Sequence, residues 1–84
     1  MVLGDNMNLK VLTPERTLLD IQVSKVSLPG SRSAFMVLRN HAPIISSLEC
    51  GVITYMSEGK EGSFSIKSGF VEVKDNVIVV CAEV

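Results

Sequence analysis

Apolar and polar residues alternate with a period of two along much of this chain, the spacing of a strand that buries one face. Met7, Leu9 and Val11 are apolar against Asn8 and Lys10, until Pro14 stops the run. Leu19, Ile21 and Val23 keep to odd positions, and Val26 and Leu28 then move to even ones. Such a slip turns every later side chain to the other face, so a bulge or corner is predicted near Ser24 and Lys25. Further short strands are predicted over 34–38, 44–48, 52–57 and 63–68, with Phe64 and Ile66 inward. Parity flips again to Val71 and Val73, which predicts a kink or a change of sheet at Gly69.

Turn chemistry separates these runs. Leu28-Pro29-Gly30-Ser31 opens a polar loop through Ser33, and Pro43 forces Asn40-His41-Ala42-Pro43 out of regular structure. Glu58-Gly59-Lys60-Glu61-Gly62 reads as a hairpin connection and Asp75-Asn76 as the last tight turn. No segment sustains a 3.6-residue period. The chain therefore reads as all-β, an antiparallel β-sandwich or flattened barrel of about ten short strands, forming a single domain over residues 1–84.

The closing strand, 77–82, breaks the alternation. Ile78, Val80 and Ala82 intersperse with Val77, Val79 and Cys81 and no polar residue intervenes. A neighbouring loop or a partner subunit must cover its second face. Apolar pairs at Leu18-Leu19, Ile44-Ile45 and Val52-Ile53 add to a hydrophobic content of 46% and a mean hydropathy of +0.36, high for so short a chain. Surplus apolar strand surface predicts a subunit of something larger.

Charge and candidate chemistry narrow the choice. Eight Lys plus Arg against nine Asp plus Glu give a net charge of −1, with no basic stripe for a nucleic acid. The run at 77–82 is far short of the roughly 20 apolar residues that cross a bilayer, so no direct membrane insertion is expected. Residues 1–6 carry no basic segment ahead of an apolar core, and no targeting signal is expected. Cys50, Cys81 and His41 lack metal-ligand spacing, and the two thiols are expected to pack as small core residues. His41 has no orienting carboxylate or nucleophile beside it, which favours a docking loop over a general base. No cofactor is expected.

Several motifs occur together in order: Leu12-Thr13-Pro14-Glu15-Arg16, Leu28-Pro29-Gly30, Phe35 through Leu38, Asn40-His41-Ala42-Pro43, Gly51-Val52 and Ser68-Gly69-Phe70-Val71-Glu72-Val73. From about Met7 to Glu83 the chain resembles the N-terminal domain of the epsilon subunit of F-type ATP synthases. The resemblance implies a non-catalytic β-sandwich at the foot of the rotating central stalk. It would grip the gamma subunit and touch the polar loops of the c-ring, passing proton-driven rotation to the catalytic head. It further implies a peripheral place on the cytoplasmic face of a bacterial inner membrane, without homo-oligomerisation. Contact residues expected on this basis are Thr13, Gly30, Ser31, Arg32, Ser33, Arg39, Asn40, His41, Ala42, Pro43 and Ser46, with both polar loops at the end that meets the ring.

Two departures accompany the resemblance. Family members usually continue into a helical hairpin that restrains ATP hydrolysis; the sequence stops at Val84, so that hairpin is expected to be absent from these residues. Met36 and Arg39 stand where the family often has glycine and proline. Two alternatives remain at this point: a free-standing β-sandwich binding module, and a small hydrolase using His41 with Cys50 or Cys81.

Overall fold

The computed structural model describes residues 7–84; residues 1–6, where no targeting signal is expected, lie outside the described part. Nine strands follow one another: β1 (Met7–Leu12), β2 (Thr17–Val23), β3 (Lys25–Leu28), β4 (Phe35–Leu38), β5 (Ile44–Leu48), β6 (Gly51–Ser57), β7 (Lys60–Ile66), β8 (Ser68–Lys74) and β9 (Val77–Glu83). They form a five-stranded sheet, ordered β2-β1-β9-β8-β5, and a four-stranded sheet, ordered β4-β3-β6-β7. The fold is the expected all-β sandwich. An isolated bridge between Gly30 and Leu48 accompanies the nine strands, where about ten strands were expected.

Each parity slip in the sequence marks a crossing between the sheets. At Ser24 the chain leaves β2 in the larger sheet for β3 in the smaller, and Ser24 N donates to Met56 O at 2.8 Å to fix that corner. The crossing at the second slip, from β7 to β8, falls at Lys67, whose N donates to Glu83 O at 2.7 Å, rather than at Gly69. Gly69 lies inside β8, between Ala82 of β9 and Leu48 of β5. A Cβ there would strike the Cys81 carbonyl and lie 3.0 Å from Ala82 Cα, so glycine is required by a close strand approach rather than by a kink.

Two details differ from the sequence pattern. The hairpin joining β6 to β7 turns on Glu58 and Gly59 alone, both at positive φ (52° and 76°), so Lys60, Glu61 and Gly62 belong to β7. Gly62 lies against the Tyr55 ring, where a Cβ has no room, and is a packing glycine in a strand. The second detail is that β1 pairs with β9 in parallel, all other strand pairs being antiparallel. Period-two alternation is the same for both kinds of ladder, so the direction was not encoded in the pattern.

The facing sides of the sheets make the core. Leu9, Ile78 and Val73 share one row of the larger sheet, and Val11, Val80 and Val71 the next, all buried. Val26, Val37, Leu28, Ile53 and Ile66 meet them from the smaller sheet, with no buried polar side chain among the described residues. Gly69→Ala should destabilise the fold by about 1–3 kcal/mol through this forced separation of β8 from β9. Urea unfolding of the variant against the parent checks it, and an unchanged midpoint would contradict the close approach.

Candidate functional site: an apolar sheet face and a polar edge

The outward side of the larger sheet follows from the same registers. Leu12, Cys81, Phe70 and Ser47 form one outward row; Asp20, Lys10, Val79, Glu72 and Ile45 the next; Gln22, Asn8, Val77 and Lys74 the third. An apolar column, Val77-Val79-Cys81, therefore runs down the central strand, widened by Leu12 and Phe70. Phe70 is 52% exposed and Ile45 74%, values at which a large apolar side chain keeps most of its contact with water. A depression of about 440 Å³, lined among others by Leu12, Thr13, Pro14, Phe70 and Cys81, ends the column. Both cysteines are free; Cys50 is exposed and Cys81 is half-buried on this outer face, so neither joins the interior core expected of them.

The smaller sheet also exposes apolar side chains, Met36, Leu38 and Val52. Its registers set each beside a polar neighbour: Leu38 beside Lys25, Met36 beside Ser27, Val52 beside Ser65. On the larger sheet Val77 and Val79 also have polar cross-strand neighbours, Asn8 with Lys74 and Lys10 with Glu72, but the row of Cys81 is apolar across three strands, Leu12-Cys81-Phe70.

The polar loops lie elsewhere. β4 and β5 are edge strands of opposite sheets, joined by residues 39–43. The Gly30–Ser33 loop lies at the other end of both strands, where Ser31 N donates to Ser47 O (3.1 Å) and Glu49 N to Pro29 O (3.0 Å). Ser47 Oγ also donates to Ser31 Oγ at 2.9 Å. The two loops thus occupy opposite corners of one edge instead of sharing an end.

Within that edge Ser31, Arg32, Ser33, Arg39, Asn40, Ala42 and Pro43 are exposed and His41 is half-buried. Gly30 is buried against the Phe35 ring, a packing role. Ser46 lies on the inward row opposite Val71, half-buried, its hydroxyl donating to Ser47 O at 3.0 Å. Thr13 stands apart from the edge, at the β1–β2 turn, where its Oγ1 donates to Arg16 O (3.0 Å) and accepts from Arg16 N (3.2 Å).

His41 N donates to Leu38 O at 3.1 Å, closing the turn after β4. Its ring Nδ1 lies 2.6 Å from Ala42 O, and a carbonyl can only accept, so Nδ1 carries the proton. On the neutral ring that leaves Nε2 as an outward acceptor. Cys50 follows β5 whereas His41 precedes it, and the strand between spans roughly 15 Å of extended chain. Cys81 is on the outer face. The structure brings neither thiol to the imidazole, which removes the support for a His–Cys nucleophile. Among the described residues no group of three His, Cys, Asp or Glu could hold a metal, and no helix is long and apolar enough to cross a membrane.

Asn76, a turn residue in the sequence pattern, is hydrogen-bonded to the histidine loop. Asn40 N donates to Asn76 Oδ1 at 2.6 Å, and Asn76 Nδ2 donates to Asn40 Oδ1 at 3.1 Å. Phe70 and Ile45 were missed as surface anchors because only the cross-strand register aligns them with β9.

A small β-sandwich with one apolar outer face and one polar edge is the class of protein these features define. The profile of the ATP synthase delta/epsilon chain β-sandwich domain matches residues 6–84, and the chain belongs to that family. An ATP synthase epsilon chain of Carboxydothermus hydrogenoformans is 40% identical over 80 residues, covering 95% of this chain and 60% of that one. One from Anaeromyxobacter sp. is 38% identical over 77 residues, covering 92% and 58%. The chain thus spans about three-fifths of the length of these relatives. In fold it is similar to a chain in the cryo-EM structure of Euglena gracilis mitochondrial ATP synthase, OSCP/F1/c-ring (TM-score 0.87, 20% identity, 98% of this chain and 53% of that one). A chain in the Tetrahymena thermophila central stalk/c-ring structure gives a TM-score of 0.80 at 16% identity, covering 99% and 67%.

In the folded chain a maleimide should label Cys50 first and Cys81 more slowly, the two converging in denaturant. Equal rates in the native state, read by mass spectrometry of the labelled peptides, would contradict the packing of Cys81 among its neighbours.

Proposed function

We propose that this chain is a non-catalytic rotor domain of an F-type ATP synthase that docks on the gamma subunit through the outer face of β1, β9 and β8. The observation that carries this reading is the apolar column Val77-Val79-Cys81 with its flanking Leu12 and Phe70, uncommon on the free surface of so small a sandwich. Family membership supplies the complex in which such a face has a partner.

The polar edge, with Ser31, Arg32, Ser33, Arg39, Asn40, His41, Ala42 and Pro43 on two corners, meets the polar loops of the c-ring. Thr13, Gly30 and Ser46 support these surfaces from within by their hydrogen bonds and packing. The work is mechanical: the face grips the shaft, the edge engages the ring, and rotation driven by proton flow passes through both. On this reading the domain works at the cytoplasmic side of a bacterial inner membrane, held there through the complex, with no catalytic role and no cofactor of its own.

Replacing Phe70 by Asp puts a charge where a dry contact is required. Its ring is half exposed in the free domain, so folding should survive, while association with gamma weakens by a factor on the order of 30, as for a central anchor. Pull-down and titration with gamma, beside a thermal melt, read this; undiminished binding would overturn the assignment of the face. His41→Ala should leave the melt and gamma binding intact and lower ATP-driven proton pumping in membranes. Full pumping, or a chain that no longer folds, would contradict a docking role for the loop.

A further inference from the structure

The histidine loop begins at Asn40, one of few non-glycine residues at positive φ (65°), and an exposed loop with one such residue would not by itself hold a fixed shape. Here it is held from the β8–β9 turn of the larger sheet. The β8–β9 turn consists of Asp75 and Asn76, at φ 52° and 63°, the double-positive pair of a tight hairpin. Asn76 has three bonds: its carbonyl accepts from Asn8 N at 2.9 Å, its Oδ1 accepts from Asn40 N at 2.6 Å, and its Nδ2 donates to Asn40 Oδ1 at 3.1 Å. The first anchors the turn to the start of β1, beside the centre of the larger sheet. The other two hold Asn40 by its backbone N–H and by its side-chain carbonyl, across 36 residues of sequence.

From this geometry we infer that Asn76 is a positioning residue, a latch that fixes the Asn40–Pro43 loop so that His41 is presented in one orientation to whatever it docks on. One side-chain amide thus bonds both the backbone N–H and the side chain of Asn40, which ties that peptide and that rotamer to the β8–β9 turn. From there the chain is closed by His41 N to Leu38 O and by the ring Nδ1 to Ala42 O, so the latch, the peptide and the imidazole form one connected set. Neutral amides on both sides make the latch indifferent to pH over the physiological range, unlike a carboxylate or imidazole in the same place. Movement of the turn at the end of the central strand is also transmitted directly to the loop, because the same residue is bonded to both.

The inference rests on the reading of this edge as the ring-facing one, and its test separates the two. Asn76→Gly keeps the positive φ and the backbone bond to Asn8 while deleting the amide. In the full-length chain the Asn40 amide should then exchange with deuterium about tenfold faster, the loss of one hydrogen bond, with β1 and β9 amides unchanged. Asn76→Asp keeps an acceptor for Asn40 N and should restore slow exchange; an Asp variant as fast as Gly would overturn the hydrogen-bonded latch, as would an Asn40 amide that Gly leaves unaffected. In the assembled synthase Asn76→Gly should retain gamma and lose ATP-driven proton pumping toward the level of His41→Ala. Pumping kept in Asn76→Gly but lost in His41→Ala would overturn the positioning role alone. Pumping kept in both would overturn the ring-facing reading, and the inference with it.

Discussion

Strand β9 is apolar on both faces, and a sandwich can cover only one of them. Ile78, Val80 and Ala82 supply the centre of the core, while Val77, Val79 and Cys81 are delivered to the outside by the same alternation. The strand cannot be moved to an edge to relieve this, because it is hydrogen-bonded along both sides, in parallel to β1 and antiparallel to β8. The core and the apolar outer face are thus two sides of one strand. A fold stabilised by β9 necessarily carries apolar surface outward, and the neighbours Leu12 and Phe70 enlarge that surface instead of screening it.

Two corners hold this arrangement in place. Crossings at Ser24 and at Lys67 let one nearly continuous run of strand serve both layers, β2 into β3 and β7 into β8. The edge formed by β4 and β5 is stitched differently: by backbone bonds between residues 29–31 and 47–49 at one corner, and by the covalent link 39–43 at the other. That is why polar loops gather there. The ends of two edge strands need partners for their backbone groups, and the loops supply them while leaving Arg32 and Arg39 exposed and His41 half-buried.

Much of this architecture was legible in the amino-acid pattern, because each parity slip reports a change of face and each change of face here is a change of sheet. The slip expected near Ser24 and Lys25 falls at Ser24; the one near Gly69 is displaced by two, since glycine marks a close approach of β9 as readily as a corner. Hairpin length at Glu58-Gly59 was overread, because Gly62 looks like turn chemistry until the Tyr55 ring above it is seen. The parallel pairing of β1 and β9 leaves no trace in alternation. For the site, Pro43 and the single histidine revealed the loop, and β9 revealed a surplus face. Its extent, through Phe70 and Ile45, depends on cross-strand register, and the Asn40–Asn76 pair on contact across 36 residues; neither is a local property of sequence. The expectation that Cys81 packs in the interior failed on a local property, its parity in β9, which sets it on the face away from Val80.

The central claim is that the outer side of β1, β9 and β8 is covered by the rotor shaft. Hydroxyl-radical footprinting of side chains, on the free chain and on the assembled synthase, addresses it directly. The account predicts that Phe70 and Leu12 are oxidised readily in the free chain and strongly protected in the complex, while Val52, on the outer face of the other sheet, changes little. Equal oxidation of Phe70 in both states, with protection appearing on the β3–β6 face instead, would contradict it.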